Sequence, residues 1–183
     1  GMLTGAMNNP AGEVGEEIRA FAALGLEFMD PTLEPPTAAT WAIDPVEIRA
    51  ALADTGLVVV GHTAFYLPIG SPFHSLRSAA RDELRRSFDL FAGFGVRWVN
   101  IHADGHAPLH DSAFVMARNL DSLRILVDDA RAAGVGLMLE NTPGRFNTAD
   151  NLGILLDPLP ELGLHLDIGH CNLQTEENTA DEL

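Results

Sequence analysis

Leu162-Gly163-Leu164-His165-Leu166-Asp167-Ile168-Gly169-His170 runs from an apolar segment straight into a carboxylate and, three residues later, an imidazole. That pattern describes a buried strand with a polar tip. Positions three apart on a continuous strand point to opposite faces. Gly169 stands between Asp167 and His170 and can take backbone angles closed to other residues, so a bend there is expected to turn both side chains to one side. A carboxylate and an imidazole converging beyond a buried core have the makings of a metal or acid–base site.

The same local pattern of helix, glycine and short apolar strand with a polar tip recurs along the chain. Phe21-Ala-Ala-Leu-Gly25 precedes a strand over 26–30, and Ala51-Leu-Ala-Asp-Thr-Gly56 precedes one over 57–62. Phe91-Ala-Gly-Phe-Gly95 leads into 96–102, Ala130-Arg-Ala-Ala-Gly134 into 135–140, and Leu159-Pro-Glu-Leu-Gly163 into 164–167. Each glycine suits the left-handed residue that closes a helix, and each strand is apolar enough to be buried on both faces. With a first strand over 2–8, six strands of βα type are expected. Helices are expected over 13–24, from Asp44-Pro45 onward, over 75–94, over 111–133, and briefly after Asn147-Thr148-Ala149-Asp150. Helices between strands enforce parallel crossovers. The proline-rich stretch 31–36 reads as a loop, and nothing in the sequence reads as a linker, so one domain over 1–183 is expected.

Six parallel strands suit either an open doubly wound sheet or part of a (β/α)₈ TIM barrel. The polar tips favour the barrel. His62, His102, Glu140 and Asp167 end successive strands; in an open sheet the outermost of the four would lie roughly 14 Å apart, without a common centre. A closed barrel turns all four towards its axis. No Gly-x-Gly-x-x-Gly follows a strand, which disfavours a dinucleotide fold. The expectation is an α/β barrel with about six of eight βα units, ending as it enters a sixth helix at Thr179-Ala-Asp-Glu-Leu183, and therefore truncated. A homodimer covering the open edges is the other way to complete it.

Composition narrows the chemistry. The chain has 183 residues, 46% of them apolar, and a net charge of −15 from 11 basic and 26 acidic residues. No apolar run approaches the roughly 18 residues of a membrane span. All the basic residues are arginine, which excludes a Schiff-base lysine, a pyridoxal anchor and a Walker lysine within this stretch. An acidic surface without lysine argues against nucleic-acid binding. The single cysteine, Cys171, leaves no intrachain disulfide and fits a reducing compartment, so a cytoplasmic location is expected.

Four phrases in order, Gly61-His62-Thr-Ala-Phe-Tyr66-Leu, Val99-Asn-Ile-His102-Ala-Asp-Gly, Leu139-Glu140-Asn141-Thr-Pro-Gly144 and Leu166-Asp167-Ile-Gly-His170, together resemble the xylose isomerase-like TIM-barrel superfamily. That superfamily includes sugar and sugar phosphate isomerases and epimerases and the endonuclease IV type of DNA-repair enzyme. The resemblance implies that Glu140 and Asp167 are metal-binding carboxylates, and that His62, His102 and His170 are metal ligands or line the pocket. It places Asp30 where isomerase-type members often have a glutamate. It lacks a counterpart here for a histidine near strand seven and a glutamate at strand eight; without them the chain as given should bind metal poorly and turn over nothing.

The resulting expectation is a divalent-metal-dependent isomerase or epimerase (Mn, Zn, Co or Mg) acting on a small sugar or sugar phosphate through an enediolate. Glu140 and His170 are the catalytic candidates, and His62, Tyr66, His102 and Asn141 the substrate-binding ones. Asn141 is also a candidate to orient Glu140. The alternative is an endonuclease IV-like zinc phosphodiesterase acting on abasic-site DNA, favoured by two imidazoles beyond the acidic pair. His74, His106, His110 and His165 read as structural, with His165 pointing away from the Leu164/Leu166 face beneath a helix. Cys171 reads as packing beside the site.

Overall fold

In the computed structural model, which describes residues 2–173 and 178–183, strands and helices alternate from end to end. The strands are β1 (Gly5–Met7), β2 (Phe28–Asp30), β3 (Val58–Val59), β4 (Trp98–His102), β5 (Gly136–Glu140) and β6 (Leu162–His165). Between them lie α1 (Val14–Ala23), α2 (Pro45–Thr55), α3 (His74–Gly93), α4 (Ser112–Ala133) and α5 (Ala149–Leu156). Pairing is parallel throughout, in the orders β1-β2-β3 and β4-β5-β6. The two groups meet through a parallel bridge between Gly61 and Val99, with Gly61 N–H donating to the Trp98 carbonyl at 3.0 Å and Asn100 N–H to the Gly61 carbonyl at 2.7 Å. Each strand therefore neighbours the next in sequence, as in the wall of a TIM barrel, and about six βα units of one are present.

Helix boundaries follow local chemistry. The Asp44 carboxylate accepts from the backbone N–H groups of Val46 and Glu47, with Pro45 in the first turn, and Asp111 caps α4 by accepting from Phe114 N–H at 2.8 Å. Gly25, Gly56, Gly95 and Gly134 follow their helices at φ between +68° and +89°, where a Cβ would be strained. Gly163 departs from the expected series: it lies inside β6 and pairs with Met138. The strands are also shorter than expected: β3 ends at Val59, with Gly61 and His62 in isolated bridges beyond it, and β6 ends at His165, before Asp167. Residues 180–182 form a turn rather than opening a helix.

Alternation along the strands sorts side chains into two layers. Val99, Ile101, Leu137, Leu139 and Leu162 are buried against the helices with Leu84, Phe88, Phe91, Leu123 and Leu126. Met29 faces a second cluster with Ile18, Ile48 and Leu57 beneath α1 and α2. The other parity faces inward, and the register stacks it in layers: Trp98 beside Gly136, Asn100 beside Met138 and Gly163, then His102, Glu140 and His165 at the top. Gly136 makes room for the half-exposed Trp98 ring in the lowest layer, since a Cβ there would lie 2.4 Å from it and displace it. Among the described residues no helix is long and apolar enough to cross a membrane.

Gly61 sits where the two strand groups join, and a Cβ there would meet the Phe91 ring at 2.9 Å and Val99 Cγ2 at 3.0 Å. Gly61→Ala is expected to lower the unfolding free energy by about 1–3 kcal/mol through overpacking, read as a lower urea midpoint at unchanged slope.

Candidate active site

The inward layer at the strand tips is ionisable. Glu140, 3% exposed, ends β5 and is registered with His102 on one side and His165 on the other. His102 Nε2 lies 3.1 Å from Glu140 Oε2, His165 Nδ1 3.5 Å from the same oxygen, and His170 Nδ1 3.3 Å from Oε1. The Asn100 amide, one layer below, donates to Glu140 Oε2 and lies 2.6 Å from His165 Nδ1. His62 comes in from the β3 side, its ring 5.1 Å from that of His102. Its Nδ1 is 2.9 Å from the Asp30 carboxylate at the tip of β2.

Electrostatics follow from these contacts. Burial works against the charge on Glu140. The hydrogen bond and attraction from His102, the Asn100 amide and nearby His165 more than offset it and hold its carboxyl down at about 2. Burial likewise opposes charge on His62, but the Asp30 hydrogen bond and charge, helped by Glu140 and Glu34, leave its pKa raised.

Asn141 organises the β6 side. Its Oδ1 accepts from Asp167 N–H at 2.7 Å, its Nδ2 donates to the Asp167 carbonyl at 3.0 Å, and its own carbonyl accepts from His170 Nδ1 at 2.8 Å. A carbonyl can only accept, so a proton is on Nδ1 of His170, and in the neutral ring Nε2 carries the lone pair. The bend between Asp167 and His170 exists, but Gly169 makes it in the ordinary right-handed region at φ −66°. Its lack of a side chain serves a different end: a Cβ would stand 3.0 Å from Asp167 Oδ1.

Two groups of donor atoms, His62/His102/Glu140 and Glu140/Asp167/His170, each fall within 4.8 Å and share Glu140. Both border a cavity of about 400 Å³ that Met7, Phe65, Thr142 and Pro143 also line. These mixed oxygen and imidazole donors fit a divalent ion. A further sign is His102 Nδ1, buried without a hydrogen-bond partner among the described residues, so neither nitrogen of that ring is committed to their backbone.

Of the residues singled out in the sequence, His62, His102, Glu140, Asp167 and His170 meet here. Tyr66 does not: its hydroxyl donates to Glu34 at 2.5 Å, which with burial pushes its pKa up to about 12, and it borders a neighbouring cavity. Phe65 takes the place expected for it. Asn141 is fully buried and orients Asp167 and His170 rather than Glu140. His165 is corrected: it faces the barrel interior beside Glu140, not a helix. Asn100 was also missed, although it stands two residues before His102, and His165 two before Asp167; strand alternation alone places each with its partner. Cys171 packs, with its sulfur 3.3 Å from Asn141 Nδ2. His106 pairs with Asp104 at 2.9 Å, and His110 stacks on Phe114 at 4.4 Å.

A parallel array of βα units with a carboxylate–imidazole cluster at its strand tips defines a TIM-barrel enzyme-like site. The sequence model of the xylose isomerase-like TIM barrel family matches residues 18–183, and the chain belongs to that family. Its fold is similar to 3-keto-D-glucoside 4-epimerase from E. coli, with TM-score 0.80 and 19% identity over 100% of this chain and 77% of that one. It is similar to a D-tagatose 3-epimerase-like protein, with TM-score 0.83 and 20% identity over 99% of this chain and 70% of that one. The D-allulose 3-epimerase from Methylomonas sp. in complex with D-allulose gives TM-score 0.79 and 19% identity over 99% and 70%. No curated protein matches the sequence.

The depressed Glu140 carboxyl has a consequence for stability. A group whose pKa falls on folding stabilises the fold above its unfolded value and loses that contribution as pH drops towards its folded one. In chelator-treated protein, unfolding free energy is expected to fall more steeply between pH 4.5 and about 2 than in Glu140→Gln, as read from urea titrations at each pH. Equal slopes would show that Glu140 is not held ionised by its neighbours.

Proposed function

We propose that this chain forms the metal- and substrate-holding part of a divalent-metal-dependent sugar or sugar phosphate isomerase or epimerase, working by proton transfer through an enediolate. The observation that carries the reading is Glu140, a buried carboxylate kept ionised at the floor of an open cavity and shared by two groups of donor atoms. Family membership and structural neighbours named as sugar epimerases support it.

An ion of Mn, Co, Zn or Mg, held by Glu140, Asp167 and His170 together with His62 and His102, would polarise the substrate carbonyl and stabilise charge on adjacent oxygens. The protein's own groups do the rest. Glu140 takes the proton from the carbon beside the carbonyl, and its second oxygen stays anchored by His102 and Asn100. His170, with its Nδ1 proton fixed by the Asn141 carbonyl, presents Nε2 as a ligand or as an acceptor from a substrate hydroxyl. Asp30 holds His62 in the same manner from the opposite side. Phe65 and Pro143 flank the cavity with apolar surface and limit the water around the reacting carbon.

A zinc phosphodiesterase acting on abasic-site DNA is the second reading, and the two overlapping donor groups favour it because they offer room for more than one ion. Charge favours the sugar: no arginine lines this cavity, and the chain carries −15.

Elemental analysis of the full-length protein is expected to find about one divalent ion per chain; two or three, together with incision of abasic-site DNA at physiological salt, would install the nuclease reading instead. Glu140→Gln is expected to slow exchange of the substrate's carbon-bound proton with solvent by about 10²–10⁴-fold, and undiminished exchange would remove Glu140 as the base.

A further inference from the structure

Beside the Glu140 cavity lies a second one of about 490 Å³, bordered by Gly105, His106, Thr142, Gly144, Arg145 and Phe146. Phe65, Thr142 and Pro143 border both, so the two spaces share a wall. Arg145 is one of five arginines, with Arg49, Arg77, Arg81 and Arg97, that have no carboxylate within 4.0 Å among the described residues, and of these it is the one that borders this cavity. Arg19, Arg85, Arg86, Arg118, Arg124 and Arg131 each have a carboxylate partner within 4.0 Å, as 26 acidic residues would lead one to expect. Arg145 has none among the described residues, and its Nη1 is buried without a hydrogen-bond partner. A guanidinium nitrogen removed from water and left unpaired is costly, and such groups call for a partner that the fold itself does not supply.

The loop that carries Arg145 is held at both ends. Thr142 N–H donates to the Phe146 carbonyl at 2.9 Å, Gly144 turns the backbone at φ +83°, and Phe146 is buried in the core. Asn151 Nδ2, in α5, donates to the Arg145 carbonyl at 2.8 Å. The backbone that carries the cation is thus held five residues beyond Glu140 in sequence, and its side chain borders the adjoining cavity. A guanidinium offers parallel N–H donors that match the oxygens of a phosphate, and Thr142 adds a hydroxyl on the wall common to both cavities.

We propose that the Arg145 cavity is the anion subsite of the substrate, receiving the terminal phosphate ester of an open-chain sugar whose carbonyl end lies at Glu140. The assignment rests on the sugar reading above and deepens it from a sugar to a sugar phosphate. A sugar acid would bring the same anionic chemistry through a carboxylate, so both are tested.

Calorimetric titration with inorganic phosphate is expected to show binding that Arg145→Gln weakens tenfold or more and Arg145→Lys weakens less. Phosphate binding indifferent to Arg145 overturns the subsite, while proton exchange on free sugars would still stand. Conversely, Arg145-dependent phosphate binding without exchange on any sugar leaves the subsite and removes the reaction. In the exchange assay, a ketose phosphate is expected to outperform both the free ketose and a sugar acid of equal length. Arg145→Gln should reduce the phosphorylated-to-free ratio of kcat/KM about a hundredfold. Preference for the sugar acid, an unchanged ratio, or Arg145-dependent binding of abasic-site DNA in place of the sugar phosphate would each overturn the proposal.

Discussion

A buried carboxylate that stays ionised is the constraint to which the rest of this structure answers. Glu140 is almost without solvent, and an isolated charge there would be expensive. It is tolerated because imidazoles and an amide surround it: His102 and His165 from the flanking strands, His170 from the turn beyond β6, and Asn100 from the layer below. Those partners require three adjacent strands in one register. A one-residue slip of β4 or β6 against β5 would send the imidazoles to the helix side and leave the carboxylate unpaired.

Supporting groups extend the same logic outward. Asn141 ties the β5 tip to the turn holding Asp167 and His170, and Asp30 ties the β2 tip to His62. The rings of His62 and His170 are therefore oriented by a neighbour on another element, which sets their direction before any ion or substrate arrives. Helix-side residues of opposite parity, from Val99 to Leu162, provide the apolar packing that fixes strand positions. Fold and site use alternate residues of the same strands.

Much of the site was legible because strand parity and strand ends leave marks in a linear sequence. His62, His102, Glu140 and Asp167 each close an apolar run, and the barrel argument follows from their recurrence. Asn100 and His165 carried the same mark, two residues from a recognised partner, and were passed over because each lies inside its run rather than at its end. Tyr66 and Asn141 show what adjacency in sequence leaves open. Proximity in sequence to a ligand suggested contact with substrate, whereas Tyr66 turns towards Glu34 and Asn141 lies wholly inside.

Composition and periodicity alone determined the alternation of helices and parallel strands, the end of the sheet where chemistry gathers, and the residue types available for it. These depend on local propensity and on burial, which act within a few residues. Tertiary structure decided what depends on distance: that Glu140 serves both donor groups, that the Asn141 carbonyl fixes a proton on His170 Nδ1, and that Arg145, without a carboxylate partner among the described residues, borders the adjoining cavity. Such facts arise only when segments remote in sequence are packed within a few ångströms, and no local pattern encodes that separation.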